Sequence, residues 1–262
     1  MDIIDLSPEY EDTYCKCLED WSTEMDEAGD YKRRWMERKK SQGLRVKLAR
    51  DESGRIVGMI HCVPSAHAPI EGEGLYYVYC VWVHGYKEGV GNQQKRGIGT
   101  ALLEAAEKDC REAGAKGMAA WGIVLPFFMR SKWFKKHGYV RADREGMLEL
   151  VWKPFAPDAS PPRLLKLKKR PSLERGVVSV TCLRNGWCPA QNLSCERMKR
   201  AAAEFPERVR YAEVDTEIPE NLREWGASDA IFLNDTLINT GPPPSYEKLR
   251  KLVRKAAAGA AR

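Results

Sequence analysis

Residues 154–175 read PFAPDASPPRLLKLKKRPSLER and carry five prolines, Pro154, Pro157, Pro161, Pro162 and Pro171. A proline ring fixes φ and removes a backbone donor, so a segment this dense in proline neither continues a helix nor sits inside a sheet. It holds the chain extended, as a connector does. The chain is therefore expected to divide into a domain over 1–153, a proline-rich basic linker over 154–175 and a smaller domain over 176–262. The basic run within the segment, Lys166, Lys168, Lys169 and Arg170, reads as part of a solvated connector and not as a nucleic-acid footprint. Length agrees with this division, since 262 residues, 43% of them hydrophobic, suffice for two modest cores.

Charge and cysteine usage narrow the class. Lys and Arg number 43 against 37 Asp and Glu, and the resulting +6 is dispersed along the chain. A nucleic-acid binder concentrates such charge into a stripe, so no specific nucleic-acid partner is expected. The start of the sequence, MDIIDLSPEYEDTY, has neither the basic nor the apolar region of an export signal, and no apolar run is long enough to span a bilayer. Eight cysteines without an export signal read as reduced thiols of a cytoplasmic protein. Cys15 and Cys17 are spaced C-x-C, no second pair lies at ligand spacing, and no metal site is expected.

Within 1–153 the pattern predicts two surface helices over 9–20 and 30–42, then a hairpin of strands 44–50 and 55–63 turning at Asp51–Gly54. Residues 75–83, LYYVYCVWV, are aromatic and β-branched without a breaker and predict a central strand. After a loop to Arg96, Ile98, Ala101, Leu102, Ala105 and Ala106 form one apolar face of a helix that Gly114 ends. A strand over 118–124, a short helix over 127–136 and strands at 139–141 and 147–152 complete the sheet. The fold class is mixed α/β.

The passage from the strand ending at Val83 into Gln94-Lys95-Arg96-Gly97-Ile98-Gly99-Thr100 carries the chemistry. A helix start leaves backbone N–H groups without intrahelical partners, and the helix dipole adds partial positive charge there. Gly97 and Gly99 have no Cβ, so an anion can approach the main chain closely, with Lys95 and Arg96 adding charge. The glycine spacing is neither that of a dinucleotide-binding fold nor that of a P-loop.

This Q-x-x-G-x-G pattern after a central strand, two helices before a hairpin, and the late segment Trp133-Phe134-Lys135-Lys136-His137-Gly138-Tyr139 together resemble the GCN5-related N-acetyltransferase (GNAT) family. The resemblance covers roughly residues 1–153. It implies that Gln94, Lys95, Arg96, Gly97, Ile98, Gly99 and Thr100 cradle the pyrophosphate of acetyl-CoA. It also implies that main-chain groups of Val81 and Val83 hold the pantetheine arm and the thioester carbonyl. Strands 75–83 and 118–124 are then expected to splay and admit the cofactor. Two departures stand out. Loop 84–93 is longer than usual, and the position of the family's proton-donating tyrosine holds Phe134, which has no proton to give.

Acetyl transfer to an amine needs a route for the amine's proton. His84 at the end of the central strand is one candidate base or relay. Glu71 and Glu73, just before that strand, could act through a water. Strand alternation places Tyr76, Val78, Cys80, Trp82 and His84 on one face, with Tyr77, Tyr79, Val81 and Val83 on the other. Most of these rings read as core, and some as lining for an acceptor pocket.

Residues 176–262 predict a β-α-β-α-β-β-α order: strand 177–183, helix 189–203, strand 209–214, helix 219–225, a hairpin of 230–233 and 237–239, and helix 245–257 capped by Ser245. This order, with Gly186-Trp187-Cys188-Pro189 at a strand-to-helix junction, resembles a thioredoxin-like domain. GPPPSYEKL at 241–249 resembles the tail of YoaP-type proteins. The second cysteine of a redox pair is missing, which leaves Cys188 as a candidate reactive monothiol. Cys195 lies two helical turns on, about 10 Å along the axis. The expected function is an N-acetyltransferase moving acetyl from acetyl-CoA to a small-molecule or peptide amine. The alternative is an acyl-CoA-binding or thiol-based sensor without catalysis.

Overall fold

The computed structural model describes residues 1–125, 128–238 and 242–259. Its contacts divide the chain into two units, residues 1–21 with 36–165 and residues 22–35 with 166–262. In chain order the first elements are β1 (Asp2–Asp5), α1 (Glu11–Cys15), α2 (Glu24–Glu27), α3 (Tyr31–Lys40), β2 (Arg45–Arg50), β3 (Ile56–Pro64), β4 (Ile70–Glu71) and β5 (Leu75–Val83). They are followed by α4 (Ile98–Glu112), β6 (Gly117–Ile123), α5 (Ser131–Lys136), β7 (Val140–Glu145), β8 (Leu148–Pro154) and β9 (Arg163–Leu164).

The first unit is organised by a seven-stranded sheet in the order β1-β2-β3-β5-β6-β8-β7. The β5–β6 pair is parallel and the other described pairs are antiparallel, so the sheet is mixed. A parallel pair needs a crossover, and α4 supplies it. Its Ile98, Leu102, Ala106 and Cys110 recur at i+4, and with Leu103 they are buried against Val57, Ile60, Val78 and Ala120 of the sheet. Burying a side chain the size of Ile98 or Leu102 contributes roughly 1.5–3 kcal/mol, so α4 is held by its apolar stripe more than by propensity. Ala101 and Ala105, read as part of that face, are half-buried at its margin, while Leu103 and Cys110 lie inside it.

Three features depart from the sequence expectation. The helix expected over 9–20 stops at Cys15, because Cys17 and Leu18 take φ of 53° and 65° and turn Leu18 into the core. β1 and the two-residue pair of β4 with β9 are additional strands, too short for alternation to reveal. Third, the segment 154–175 is anchored at points along its length, although the side chains of its basic run are exposed. Arg163 and Leu164 pair with Glu71 and Ile70, and Leu165 N–H donates to Pro69 O at 3.1 Å.

The second unit carries β10 (Val178–Arg184), α6 (Pro189–Ala203), β11 (Val209–Asp215), α7 (Pro219–Trp225), β12 (Ala230–Leu233), β13 (Thr236–Ile238) and α8 (Tyr246–Gly259). Its sheet runs β11-β10-β12-β13, with β10 and β11 parallel and the remaining pairs antiparallel. Alternation along β10 sorts the two faces. Val178, Val180 and Cys182 pack with Met198, Ala201, Leu249 and Val253 of α6 and α8, while Leu183 packs with Trp225 of α7 and Phe232. The basic run joins the latter side: Leu167 packs against Trp225, Lys168 N–H donates to Trp225 O at 2.9 Å, and the Lys169 ammonium lies 5.0 Å from the Trp225 ring centre.

Residues 22–35, assigned to the first domain by sequence, count with this second unit. Met25 and Ala28 pack on Leu193, and Arg197 pairs with Glu24 at 3.0 Å and Glu27 at 3.1 Å. The Arg184 guanidinium stacks 3.8 Å from the Tyr31 ring centre. Phe127 of the expected 127–136 helix, Asn239 of the expected hairpin and Gly241 of the GPPPSYEKL segment lie outside the described residues. Ser245 takes its expected place at the start of α8, its Oγ accepting from Lys248 N–H at 3.4 Å.

Candidate active site

The long apolar strand β5 pairs with β6 only from Leu75–Gly117 to Val78–Ala120, although both strands run further. Beyond that point they part. Trp121 Nε1–H donates to Tyr79 O at 2.7 Å where the pairing ends, occupying the acceptor that a neighbouring strand would otherwise take. On the opposite edge His84 N–H donates to Val57 O at 3.0 Å. Since successive residues of a strand alternate, Val81 and Val83 turn their N–H and C=O groups toward the opened side.

The register against β3 shifts here: Cys80 faces His61 while Val78 faces Cys62, leaving Tyr79 as an extra residue in a β-bulge. The simple alternation read from the sequence is thereby corrected. Tyr76 and Val78 share the α4-side cluster with Val81 and Val83, and not with Cys80 and Trp82. Trp82 turns to the other face, with ring centroids 6.0 Å from Tyr86 and 5.7 Å from Phe128.

Opposite the opened edge stands the start of α4. Gly97 occupies the position before the first helical turn with φ of 80°, and no side chain among the described residues caps the helix. A Cβ built on Gly97 would meet nothing within 4 Å, so the space above these N–H groups is open. Gln94, Lys95, Arg96 and Gly97 are exposed, Ile98 is buried, and Gly99 and Thr100 are half-buried. The structure thus brings Gln94–Thr100, Val81 and Val83 to one place. Gln94 Nε2 reaches Val83 O at 3.4 Å, tying the loop to the strand end.

His84 is fully buried, and both of its ring nitrogens are engaged. Gly91 O can only accept, so Nδ1 carries the proton and donates to it at 2.8 Å. Trp21 Nε1–H can only donate, so Nε2 accepts from it at 3.2 Å. Neither nitrogen has a lone pair left for the proton of an acceptor amine. In this arrangement His84 pins loop 84–93, helped by Gln93 N–H donating to its own carbonyl at 2.8 Å. Replacing His84 by alanine strands two polar partners and is expected to cost about 1–3 kcal/mol in urea unfolding. The pH profile of turnover is expected to keep its shape; a lost or shifted ionisation in that variant would restore His84 as the base.

Glu71 and Glu73 are both exposed, at the opposite end of β5 from the α4 start. A strand of nine residues separates them from that point by roughly 25–30 Å, so the structure does not bring them to the cleft. Phe134 is fully buried, packed edge-on against Trp133 at 4.9 Å and Tyr139 at 5.4 Å. One polar pair missed by sequence reasoning sits beside the helix start. Thr100 Oγ1 lies 3.0 Å from His137 Nε2, while His137 Nδ1–H donates to Trp133 O at 2.8 Å, so the hydroxyl is the donor. The i+4 spacing of Trp133 and His137 was the available signal, but nothing local linked either residue to Thr100.

In the second unit Cys188 stands immediately before α6, with Pro189 in its first turn. Trp187 Nε1–H donates to Asp229 Oδ2 at 2.7 Å, and desolvation pushes the Asp229 carboxyl above its ordinary range. Cys195 turns away into the sheet, where a hydrogen bond with Cys182 and burial raise its thiol well above the usual value. No disulfide joins the eight cysteines, and among the described residues no three His, Cys, Asp or Glu side chains converge as a metal site. No helix among the described residues is long and apolar enough to cross a membrane.

The chain belongs to the acetyltransferase (GNAT) family, whose model matches residues 5–139, just over half of its length. No protein of curated function matches it significantly. Similar solved structures include a GNAT-family acetyltransferase from Staphylococcus aureus, 16% identical, covering 58% of this chain and 98% of that one, with a TM-score of 0.44. Another is a GNAT-family acetyltransferase from Brucella melitensis in complex with acetyl-CoA, 18% identical over 61% of this chain and 90% of that one, TM-score 0.40. A third is the PaiA N-acetyltransferase from Thermoplasma acidophilum in complex with coenzyme A, 17% identical over 59% and 100%, TM-score 0.41.

Proposed function

We propose that the first unit binds acetyl-CoA in the opening between β5 and β6 and transfers its acetyl group to an amine. One observation carries the reading: an uncapped, glycine-flanked helix start faces a strand edge whose main-chain groups are released by the end of β5–β6 pairing. The open space at Gly97 fits a pyrophosphate, and the N–H groups of Ile98, Gly99 and Thr100 are the donors for it. Lys95 and Arg96 add charge, and Gln94 holds the loop against Val83. Val81 and Val83 present the N–H and C=O groups that hold the pantetheine arm and polarise the thioester carbonyl.

Phe134 supplies no proton, so the departing thiolate leaves as such. The pKa of an ordinary thiol, about 8.5, makes this tolerable near neutral pH. Catalysis then rests on positioning and carbonyl polarisation, with solvent taking up the amine's proton. Turnover, followed by CoA release, is expected to rise with deprotonation of the acceptor amine to a plateau. A descending limb between pH 8 and 10 would instead reveal a side-chain acid.

The second unit is thioredoxin-like in this reading and YoaP-type in arrangement. Its β-α-β-α-β-β-α order and its β11-β10-β12-β13 sheet support the assignment. Cys188 at the start of α6 is its candidate monothiol, and eight cysteines outside any disulfide suit a reducing, cytoplasmic setting. Phe134 also favours a second reading, an acyl-CoA-binding sensor. A panel of amines decides between the two: acetylation of any acceptor above the rate of hydrolysis establishes the transferase.

A further inference from the structure

We propose that the acceptor is a single primary amine carried on an aromatic body, seated against a wall of rings formed by Trp121, Phe128, Trp82, Tyr86 and Trp21. This deepens the acetyltransferase reading and rests on it. The rings follow one another without a gap, with centroid separations of 5.9 Å for Trp121–Phe128, 5.7 Å for Phe128–Trp82, 6.0 Å for Trp82–Tyr86 and 5.7 Å for Tyr86–Trp21. The row begins at Trp121, the residue whose Nε1–H occupies Tyr79 O where β5 and β6 part. Trp82 lies between Val81 and Val83, the two residues that face the thioester. The wall is therefore continuous with the place where the acetyl group would be delivered.

Three of the five rings are exposed, and Trp82 and Trp121 are half-buried. Trp21 is 39%, Tyr86 43% and Phe128 40% exposed, three large aromatic surfaces gathered at one mouth. Their contacts are tilted or edge-on, and the cluster keeps part of its aromatic surface exposed. They are also held in place. Trp82 is fixed by its strand, Trp121 by its bond to Tyr79, and Trp21 by its bond to His84, whose ring in turn packs edge-on to Tyr86 at 5.8 Å. The two bonds that engage the nitrogens of His84 thus aim the far end of the wall.

The surface that adjoins the opening is built of rings: Glu71 and Glu73 lie at the opposite end of β5, and the acidic neighbours of the wall along the chain, Asp20 and Glu88, are exposed. Ring faces attract one ammonium through their quadrupoles, and the bound amine then gives its proton to solvent before attack.

The test uses the full chain, acetyl-CoA and three probes: phenethylamine, its saturated analogue 2-cyclohexylethylamine, and spermidine. Phenethylamine is expected to have a kcat/KM at least about tenfold above spermidine and several-fold above the saturated analogue. Tyr86→Ala and Phe128→Ala, both at exposed positions, are each expected to raise its KM about fivefold, with acetyl-CoA affinity within about twofold of the parent. Preference for spermidine, or unchanged selectivity in both variants, overturns the proposal. If no amine is acetylated, the transferase reading fails separately. Calorimetry of phenethylamine on the CoA-saturated chain then decides: binding weakened by Tyr86→Ala upholds the aromatic site, and no binding overturns it.

Discussion

Replacing Gly97 by glutamate is expected to weaken acetyl-CoA binding at least a hundredfold, while alanine at the same position, whose Cβ takes up part of the open space without adding charge, weakens it much less. Both substitutions place a side chain at φ of 80°, which costs about 1–2 kcal/mol of stability. Neither Cβ meets an obstacle, because nothing lies within 4 Å of that position. What distinguishes the two is charge. A glutamate at the mouth of the helix start faces the pyrophosphate directly, at about 1 kcal/mol per charge pair in water and about 4 in a protein-like surrounding. Titration calorimetry with acetyl-CoA checks the affinity, and thermal unfolding shows whether the stability losses match. Equal binding by the two variants would remove the cofactor from this loop.

The largest loss of stability is expected for Gly226→Ala in the second unit. Gly226 ends α7 with φ of 74°, and its N–H donates to Leu222 O at 2.8 Å. An added Cβ would stand 1.8 Å from Lys166 O and 2.7 Å from Lys166 C, both main-chain atoms. That strand of chain cannot withdraw without losing the Lys168–Trp225 bond and the packing of Leu167 on Trp225. A clash with backbone on top of left-handed strain is expected to cost more than about 4 kcal/mol. For a unit of this size the corresponding transition should fall by roughly 15–30 °C in calorimetry. A change under about 2 °C would mean that the basic run is a free connector in solution, as its composition alone suggests.

Much of the site was legible locally. The glycine-flanked start of α4 follows from local residue types, and α4 begins at Ile98 and ends before Gly114 as its pattern requires. The strand 75–83 and the β-α-β-α-β-β-α order of the second unit rest on strong, short-range periodicity. The bulge at Tyr79 was not legible, because an extra residue in a strand leaves the run of apolar residues unbroken while exchanging their faces. The engagement of His84 was equally hidden: its partner Trp21 is sixty-three positions away. Sequence offered His84, Glu71 and Glu73 as candidates for moving a proton. Geometry separates them, placing two at the far end of the strand and engaging both nitrogens of the third.

Residue types and their spacing by themselves determined the mixed α/β class, the glycine-flanked helix start beside Lys95 and Arg96, and the absence of a phenol at Phe134, since each depends on a residue and its immediate neighbours. Where the proline-rich segment docks, which unit claims residues 22–35, where β5 and β6 part and which rings gather at the opening were decided only by the tertiary structure. Those are contacts between distant parts of the chain. Their stability comes from burial and hydrogen bonds that exist only once both partners are in place.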